Sequence, residues 1–284
     1  MILIKPRIVE MDPIDREATL RKIESAARNC YQSAMAPTTE GSAKFVAGLV
    51  RSGHMAPVEL GGMFNVKIQT SRSVLAELSR HRLISMCCES QRYCKELDNY
   101  GTTFIIPSQI SDSEPDITEG YYELAMVPIG GQSGQIQGIG MQIATASIND
   151  DGKLGLVRQV KCKDTTGAFL QALAAAEQSY AMLLQMGYSP QDAREVLPNA
   201  TACTITMGAN LREWKHIFNL RVFGTTGKPY APCKEIMSLV YQKFHEALPE
   251  IFPDETPSEN SEKSEKVAQK IAEPPKKSSI LYGV

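Results

Sequence analysis

No stretch of this sequence approaches the roughly 18 consecutive apolar residues of a membrane-spanning helix, so no membrane association is expected. The opening MILIKPRIVEMDP meets Lys5 before any apolar signal core can form, and a cytoplasmic chain is the expectation. The seven cysteines (Cys30, Cys87, Cys88, Cys94, Cys162, Cys203, Cys233) are odd in number and show no CxxC spacing. That argues against a disulfide framework and a zinc cage and for reduced thiols. The four histidines form no HExxH, so no catalytic metal is expected. Neither a GxGxxG after a strand nor a GxxxxGK[ST] is present, so no Rossmann or P-loop domain is implied. A net charge of -2 and a pI near 6.1 oppose a general nucleic-acid surface.

What is present is an ordinary globular composition: 284 residues, 43% hydrophobic, enough for a substantial core. Asp12-Pro13 reads as the start of a first helix ending near Cys30-Tyr31, and a second runs from about Gly41 to Ser52, closed by Gly53. MFNVKIQ (63–69) alternates as a strand, and Ser71 caps a helix whose last turn carries Arg80, His81 and Arg82. TTFIIP (102–107) is strand-like. From about 125 to 163 the sequence reads as an insertion, glycine- and glutamine-rich at first. Two alternating runs, MQIATASI and LGLVRQV, then flank Asn149-Asp150-Asp151-Gly152 as a β-hairpin. It is either a mobile surface decoration or a functional cover. Helices follow at about 165–186, after Ser189-Pro190, at 210–222 and at 234–248, with a strand at 201–207. The whole is an α+β, mixed α/β pattern over 1–253, and the charged tail 254–284 is read as disordered.

The chemistry concentrates in SRHRLISMCCESQRY (79–93). Two guanidiniums and an imidazole in one helical turn repel one another unless an anion joins them. Ser90, Gln91 and Arg92 follow in a loop whose amides and fork suit a phosphate, with Tyr93 as a stacking face. Arg194, Arg212 and Arg221 add cations further on. By helical spacing Asn210 and Arg221 share one face, and Arg212 and His216 another. A solvated basic patch or a salt bridge to a partner protein satisfies the same residues. Cys87 and Cys88 raise the question of a nucleophilic thiol, but packing residues fit equally, and Ser90 sits among groups that bind anions better than they remove protons.

Arg80-His81-Arg82 followed after seven residues by Ser90 resembles the signature of the flavin-dependent thymidylate synthases, the ThyX family. Cys30 to Ser33, Gly53-His54 through Glu59, Glu89 to Tyr93, Ala193-Arg194 before Leu197-Pro198, Asn210 to Arg212, and Asn219 to Arg221 fall in that family's order. The resemblance implies a ThyX-like fold, a central antiparallel or mixed sheet flanked by helices. It implies FAD bound by Glu59, Arg80, His81, Arg82, Asn210, Arg212 and His216. It implies dUMP held by Glu89, Ser90, Gln91, Arg92, Arg194 and Arg221, with Arg221 and Ser90 closest to catalysis. Methylenetetrahydrofolate and NADPH are the implied co-substrates, dTMP and tetrahydrofolate the products, and a homotetramer with shared sites the assembly. The pattern departs at Cys88, where relatives often place Gln, at His216, and at Thr225 to Gly227. A nucleotide-binding regulator without turnover and a nucleic-acid binder using the Arg-His-Arg segment are the alternatives.

Overall fold

The computed structural model describes residues 1–30, 32–97, 101–113, 117–130, 136–146, 158–160 and 164–254. The expected hairpin turn at 149–152 and, beyond Asp254, the tail lie outside them.

The strands are β1 (Ile2–Ile4), β2 (Arg7–Met11), β3 (Met63–Ser71), β4 (Ser85–Cys88), β5 (Thr103–Ile105), β6 (Gly120–Gly130), β7 (Ile136–Ala146), β8 (Arg158–Val160) and β9 (Ala202–Asn210). The helices are α1 (Arg16–Asn29), α2 (Thr39–Arg51), α3 (Ala56–Glu59), α4 (Arg72–Leu78), α5 (Ser108–Ser111), α6 (Asp164–Gln185), α7 (Pro190–Ala193), α8 (Leu211–Arg221) and α9 (Ala231–Ala247). A 3-10 turn, Arg194–Val196, follows α7. The strands form a five-stranded sheet ordered β5-β1-β6-β7-β8 and a four-stranded sheet ordered β2-β3-β9-β4. This is the α+β architecture the sequence predicts.

The chain divides into two compact units. The first comprises residues 1–10 and 66–207. Its core joins Met1, Leu3, Phe104, Ile106 and Tyr122 of the sheet region to Leu170 and Leu173 of α6. β1 pairs parallel with β5 and antiparallel with β6. β7 and β8 pair antiparallel, Ile143 opposite Val160, as the expected hairpin requires. The sequence reading missed β6, which pairs along β7 from Tyr121↔Ala146 to Gly130↔Ile136 and slips register at Ile129/Gly130. Its glycines and Pro128 are poor strand signals, and its pairing is with β7, a partner no local pattern announces.

The second unit comprises 11–65 and 208–284. Its core is an aromatic cluster. Trp214 stacks on Phe218 at 5.6 Å and tilts against Phe244 at 5.1 Å, while Phe252 meets Phe244 edge-on at 5.2 Å. Trp214 is fully buried and satisfies its indole N–H by donating to the Phe64 carbonyl at 3.1 Å.

Several boundaries differ from expectation for identifiable reasons. Helix α1 starts at Arg16, because Asp15 is the cap, accepting from Ala18 N at 3.0 Å. Asp12 instead accepts from the backbone and side-chain nitrogens of Asn65, both at 2.9 Å. Helix α4 ends at Leu78, so Arg80, His81 and Arg82 form the turn after the helix, not its last turn. Gly53 does close α2, at φ +77, where a left-handed residue is needed. Among the described residues no helix is long and apolar enough to cross a membrane.

One buried carboxylate ties α1 to α2. Glu24, 0% exposed, accepts from Ser42 Oγ at 2.6 Å, from the Ala36 N–H at 2.9 Å and from Arg28 Nε at 2.6 Å. Burial alone would raise its pKa, but these three donors together hold it below the ordinary glutamate value. Glu24→Ala strands all three donors and should cost about 3–5 kcal/mol, read as a lower denaturation midpoint. A depressed carboxyl binds its proton more weakly folded than unfolded. Its contribution is therefore complete above the ordinary glutamate pKa and fades as pH falls through the folded value, so the gap between wild type and Glu24→Gln should narrow on acidification.

Candidate functional site

In the first unit the chain passes from β3 into α4 without a loop. Ser71 occupies the cap position with no side-chain cap bond; its Oγ lies 2.8 Å from Ser73 Oγ. The first amides of α4 are met instead by backbone, Arg72 N donating to the Thr201 carbonyl at 3.0 Å and Ser73 N to the Asn199 carbonyl at 3.2 Å. After Leu78 the chain tightens, His81 N donating to the Leu78 carbonyl at 3.1 Å. Arg80 and Arg82 are exposed and His81 is 7% exposed. The expected mutual repulsion is thus relieved by separating the groups: the guanidiniums face outward while the imidazole is buried.

The loop expected after Arg82 contains a strand. β4 carries Cys87 and Cys88, both exposed, so neither is a core packing residue of this chain. Cys203 of β9 is buried, and burial pushes its thiol up to about 12, with Arg72 opposing, so it stays protonated at neutral pH. Glu89 N donates to the Thr204 carbonyl at 3.0 Å, extending the β4 ladder. A tight turn follows, in which Tyr93 N and Cys94 N both donate to the Ser90 carbonyl, at 3.2 and 2.9 Å. Ser90 Oγ accepts from Arg92 N at 3.3 Å. Arg92 is exposed, with its Nε donating to Gln191 Oε1 at 2.7 Å and its guanidinium 5.5 Å from the Tyr93 ring centroid. Gln191 belongs to α7, which Ser189 caps, and Arg194 opens the 3-10 turn after it with only a 3.8 Å contact to Glu195.

In the second unit β9 runs directly into α8. Asn210 is the last strand residue and the helix cap, its Oδ1 accepting from Glu213 N at 2.9 Å. Lying outside the helix, it does not follow the helical spacing that grouped it with Arg221. Arg212 and His216 are exposed and share the outer face of α8, as their spacing predicts, while Arg221, the last helical residue, is half-buried. Arg212 Nη1 pairs with Glu59 Oε1, at the end of α3, at 2.6 Å. Burial raises the carboxyl of Glu213 against the opposing fields of His216 and Arg212. A cavity of about 670 Å³ is lined by Phe45, Leu49, Met55 and Pro57 with Arg28, His54 and Arg212 among its polar groups. Arg28 lies 4.2 Å over the Phe45 ring centroid. The sequence reading named His54 only within the stretch to Glu59 and did not single out Arg28, Arg72 or Glu96. His54 and Arg28 are marked only by folding onto the cavity, Arg72 and Glu96 by a contact that no motif signals.

Arg80, His81, Arg82, Glu89, Ser90, Gln91, Arg92 and Arg194 therefore belong to the first unit, and Glu59, Asn210, Arg212, His216 and Arg221 to the second. The class so defined is an α+β protein whose loopless strand-to-helix junctions and exposed turns offer guanidinium groups to anions. A family model described as "Thymidylate synthase complementing protein" matches residues 14–250, and the chain belongs to that family, the flavin-dependent thymidylate synthases. It is 28% identical over 177 residues to a flavin-dependent thymidylate synthase of Haloarcula marismortui, covering 62% of this chain and 61% of that one. It is 26% identical over 205 residues to one of Mycobacterium avium, covering 70% and 66%. The match thus spans less than two thirds of either relative's length. Among solved structures, the UMP/dUMP methylase PolB of Streptomyces cacaoi bound with 5-Br dUMP shares the fold, with a TM-score of 0.57 at 18% identity over 89% of this chain and 95% of that one.

The Glu59–Arg212 pair is 42% and 53% exposed, so solvent screens it. Glu59→Gln should shift the denaturation midpoint by the equivalent of less than about 1 kcal/mol. A loss above ~2 kcal/mol would mark the pair as a structural clamp rather than a ligand-facing one.

Proposed function

We propose that this chain is a cytoplasmic FAD-dependent thymidylate synthase that converts dUMP to dTMP with methylenetetrahydrofolate as carbon donor and NADPH as reductant. The single observation carrying this reading is the stretch from Arg80 to Arg92. Two outward guanidiniums stand on one turn, and Ser90 organises the next, with Arg92 exposed beside it. Membership of the family and the 5-Br dUMP held by the neighbouring fold support a uracil nucleotide as the ligand.

The donor chemistry fits a flavin dinucleotide. Arg80 and Arg82 suit a diphosphate, and the cavity, whose volume lies in the usual small-molecule range, mixes an apolar wall with His54 and Arg212. Glu59, Arg80, His81, Arg82, Asn210, Arg212 and His216 are the residues assigned to that group. When bound and reduced by NADPH, it supplies the hydride that completes the methyl group. Glu89, Ser90, Gln91, Arg92 and Arg194 are assigned to dUMP. Charged hydrogen bonds from Arg92 and Arg194 fix its phosphate and hence the position of the base. Arg221 then faces a pyrimidine carbonyl and stabilises charge that develops there as the ring is activated. C5 gains the folate methylene carbon and gives up its proton, both of the methylene's bonds to folate nitrogens break with those nitrogens taking up that proton and one from solvent, and tetrahydrofolate leaves.

Ser90 acts here by binding, since no base is assigned to its hydroxyl, which accepts from the Arg92 amide at 3.3 Å. A homotetramer with shared sites completes the proposal. Leu60, Met63, Leu83 and Tyr93, 60–79% exposed in the single chain, offer apolar surface for such contacts.

Purified protein should be yellow, should oxidise NADPH only when dUMP is present, and should form dTMP only with FAD. Binding of dUMP and FAD without dTMP would instead identify a nucleotide-responsive regulator. Ser90→Ala should raise the KM for dUMP roughly tenfold while kcat falls by less than about threefold. Abolished turnover at saturating dUMP would give the hydroxyl an obligatory chemical role.

A further inference from the structure

Arg72, Glu96 and Tyr180 belong to none of the sequence motifs, yet they converge on the turn that carries Ser90. Arg72 opens α4, and its Nη2 donates to the Glu89 carbonyl at 3.2 Å and stands 3.5 Å from Glu96 Oε1. Glu96 takes a side-chain hydrogen bond from Gln91 and gives its backbone N–H to Tyr180 Oη at 3.1 Å. Tyr180 is fully buried on α6, and the side chains of Arg72 and Glu96 are only 19% and 12% exposed. The stretch Glu89–Gln91 is therefore held at both ends, by its first carbonyl and by its last side chain.

We propose that Arg72 and Glu96 are positioning residues for the anion-binding turn Glu89–Arg92. They set the direction of the Ser90 and Arg92 groups without touching the nucleotide themselves. The proposal rests on the functional reading above and adds to it residues outside the signature. The pair is poorly suited to a stabilising role. Desolvating two charges offsets most of their attraction, and burial raises the Glu96 carboxyl despite Gln91 and Arg72. Arg72 Nε is buried without a hydrogen-bond partner among the described residues. What the guanidinium supplies is geometry: its planar group fixes where one nitrogen, Nη2, stands between the Glu89 carbonyl and the Glu96 carboxylate, a placement that a flexible lysine stem does not hold.

The test uses the full chain with Arg72→Gln, Arg72→Lys and Glu96→Gln. Arg72→Gln and Arg72→Lys should raise the KM for dUMP about tenfold, with kcat within about twofold and FAD content unchanged. Glu96→Gln, which keeps an acceptor for Gln91, should produce a smaller rise. In the ligand-free protein the Tyr93 and Cys94 amides, which close the turn on Ser90, should exchange with deuterium about tenfold faster in Arg72→Gln. Unchanged exchange overturns the proposal, and so does faster exchange with an unaltered KM. A wild-type chain that forms no dTMP defeats the functional reading instead, and the exchange rates then decide the brace on their own.

Discussion

Two strand-to-helix junctions with no intervening loop impose the geometry on which the candidate residues depend. β3 ends at Ser71 and α4 begins at Arg72; β9 ends at Asn210 and α8 begins at Leu211. The junction residues keep extended backbones, with ψ of 159° at Ser71 and 167° at Asn210, so one residue converts strand to helix and leaves no slack. The strands are neighbours in the four-stranded sheet, and the chain entering β9 caps α4 through the Thr201 and Asn199 carbonyls. Helix starts fixed in this way carry their side chains on rigid elements, which a site needs if its groups are to stand within tenths of an ångström of a productive position. Gly208 shows how tight the arrangement is, because a Cβ there would stand 2.3 Å from Asn65 Oδ1.

Most helices were legible in the sequence because their signals are local. Thr38 caps α2, Ser189 caps α7 and Gly53 ends α2, each by a bond or a backbone angle that its own residue type provides. Strands that depend on distant partners were not legible. β1 and β2 lie in a segment whose composition suggested no element, and β4 was read as loop because its partner β9 lies more than a hundred residues further along. The same division holds for the site. The Arg-His-Arg signature could be read from spacing, whereas the Asn210 cap, the Glu59–Arg212 pair and the Arg72–Glu96 contact exist only once the chain is folded. Spacing also misled where an element ended early: Arg80 to Arg82 leave the helix, and Asn210 never enters it.

Three buried or largely buried carboxyls, Glu24, Glu96 and Glu213, differ in the donors around them. Glu24 is fully buried, yet three donors hold its pKa below the ordinary value. Glu96 and Glu213 shift upward because burial outweighs the charges near them. The first ties two helices and belongs to the scaffold. The other two lie beside candidate residues, Gln91 in one case and His216 and Arg212 in the other.

The departure from the family pattern at Thr225 to Gly227 can be weighed in the same physical terms. Thr225 donates to the Asn219 carbonyl from both its backbone nitrogen, at 3.0 Å, and its hydroxyl, at 3.2 Å, and Gly227 N donates to the Gly224 carbonyl at 3.0 Å. Gly224, at φ +67, permits the reversal, and a Cβ there would stand 2.7 Å from the Gly227 carbonyl oxygen. The segment thus satisfies the Asn219 carbonyl, which the end of α8 would otherwise leave to solvent. Arg221 is the last residue of that helix, so the substituted segment fixes the helix end from which its guanidinium projects. The cap and Arg221 both belong to the second unit, so the reversal at Gly224 and the last turn of α8 are set by the same few backbone bonds.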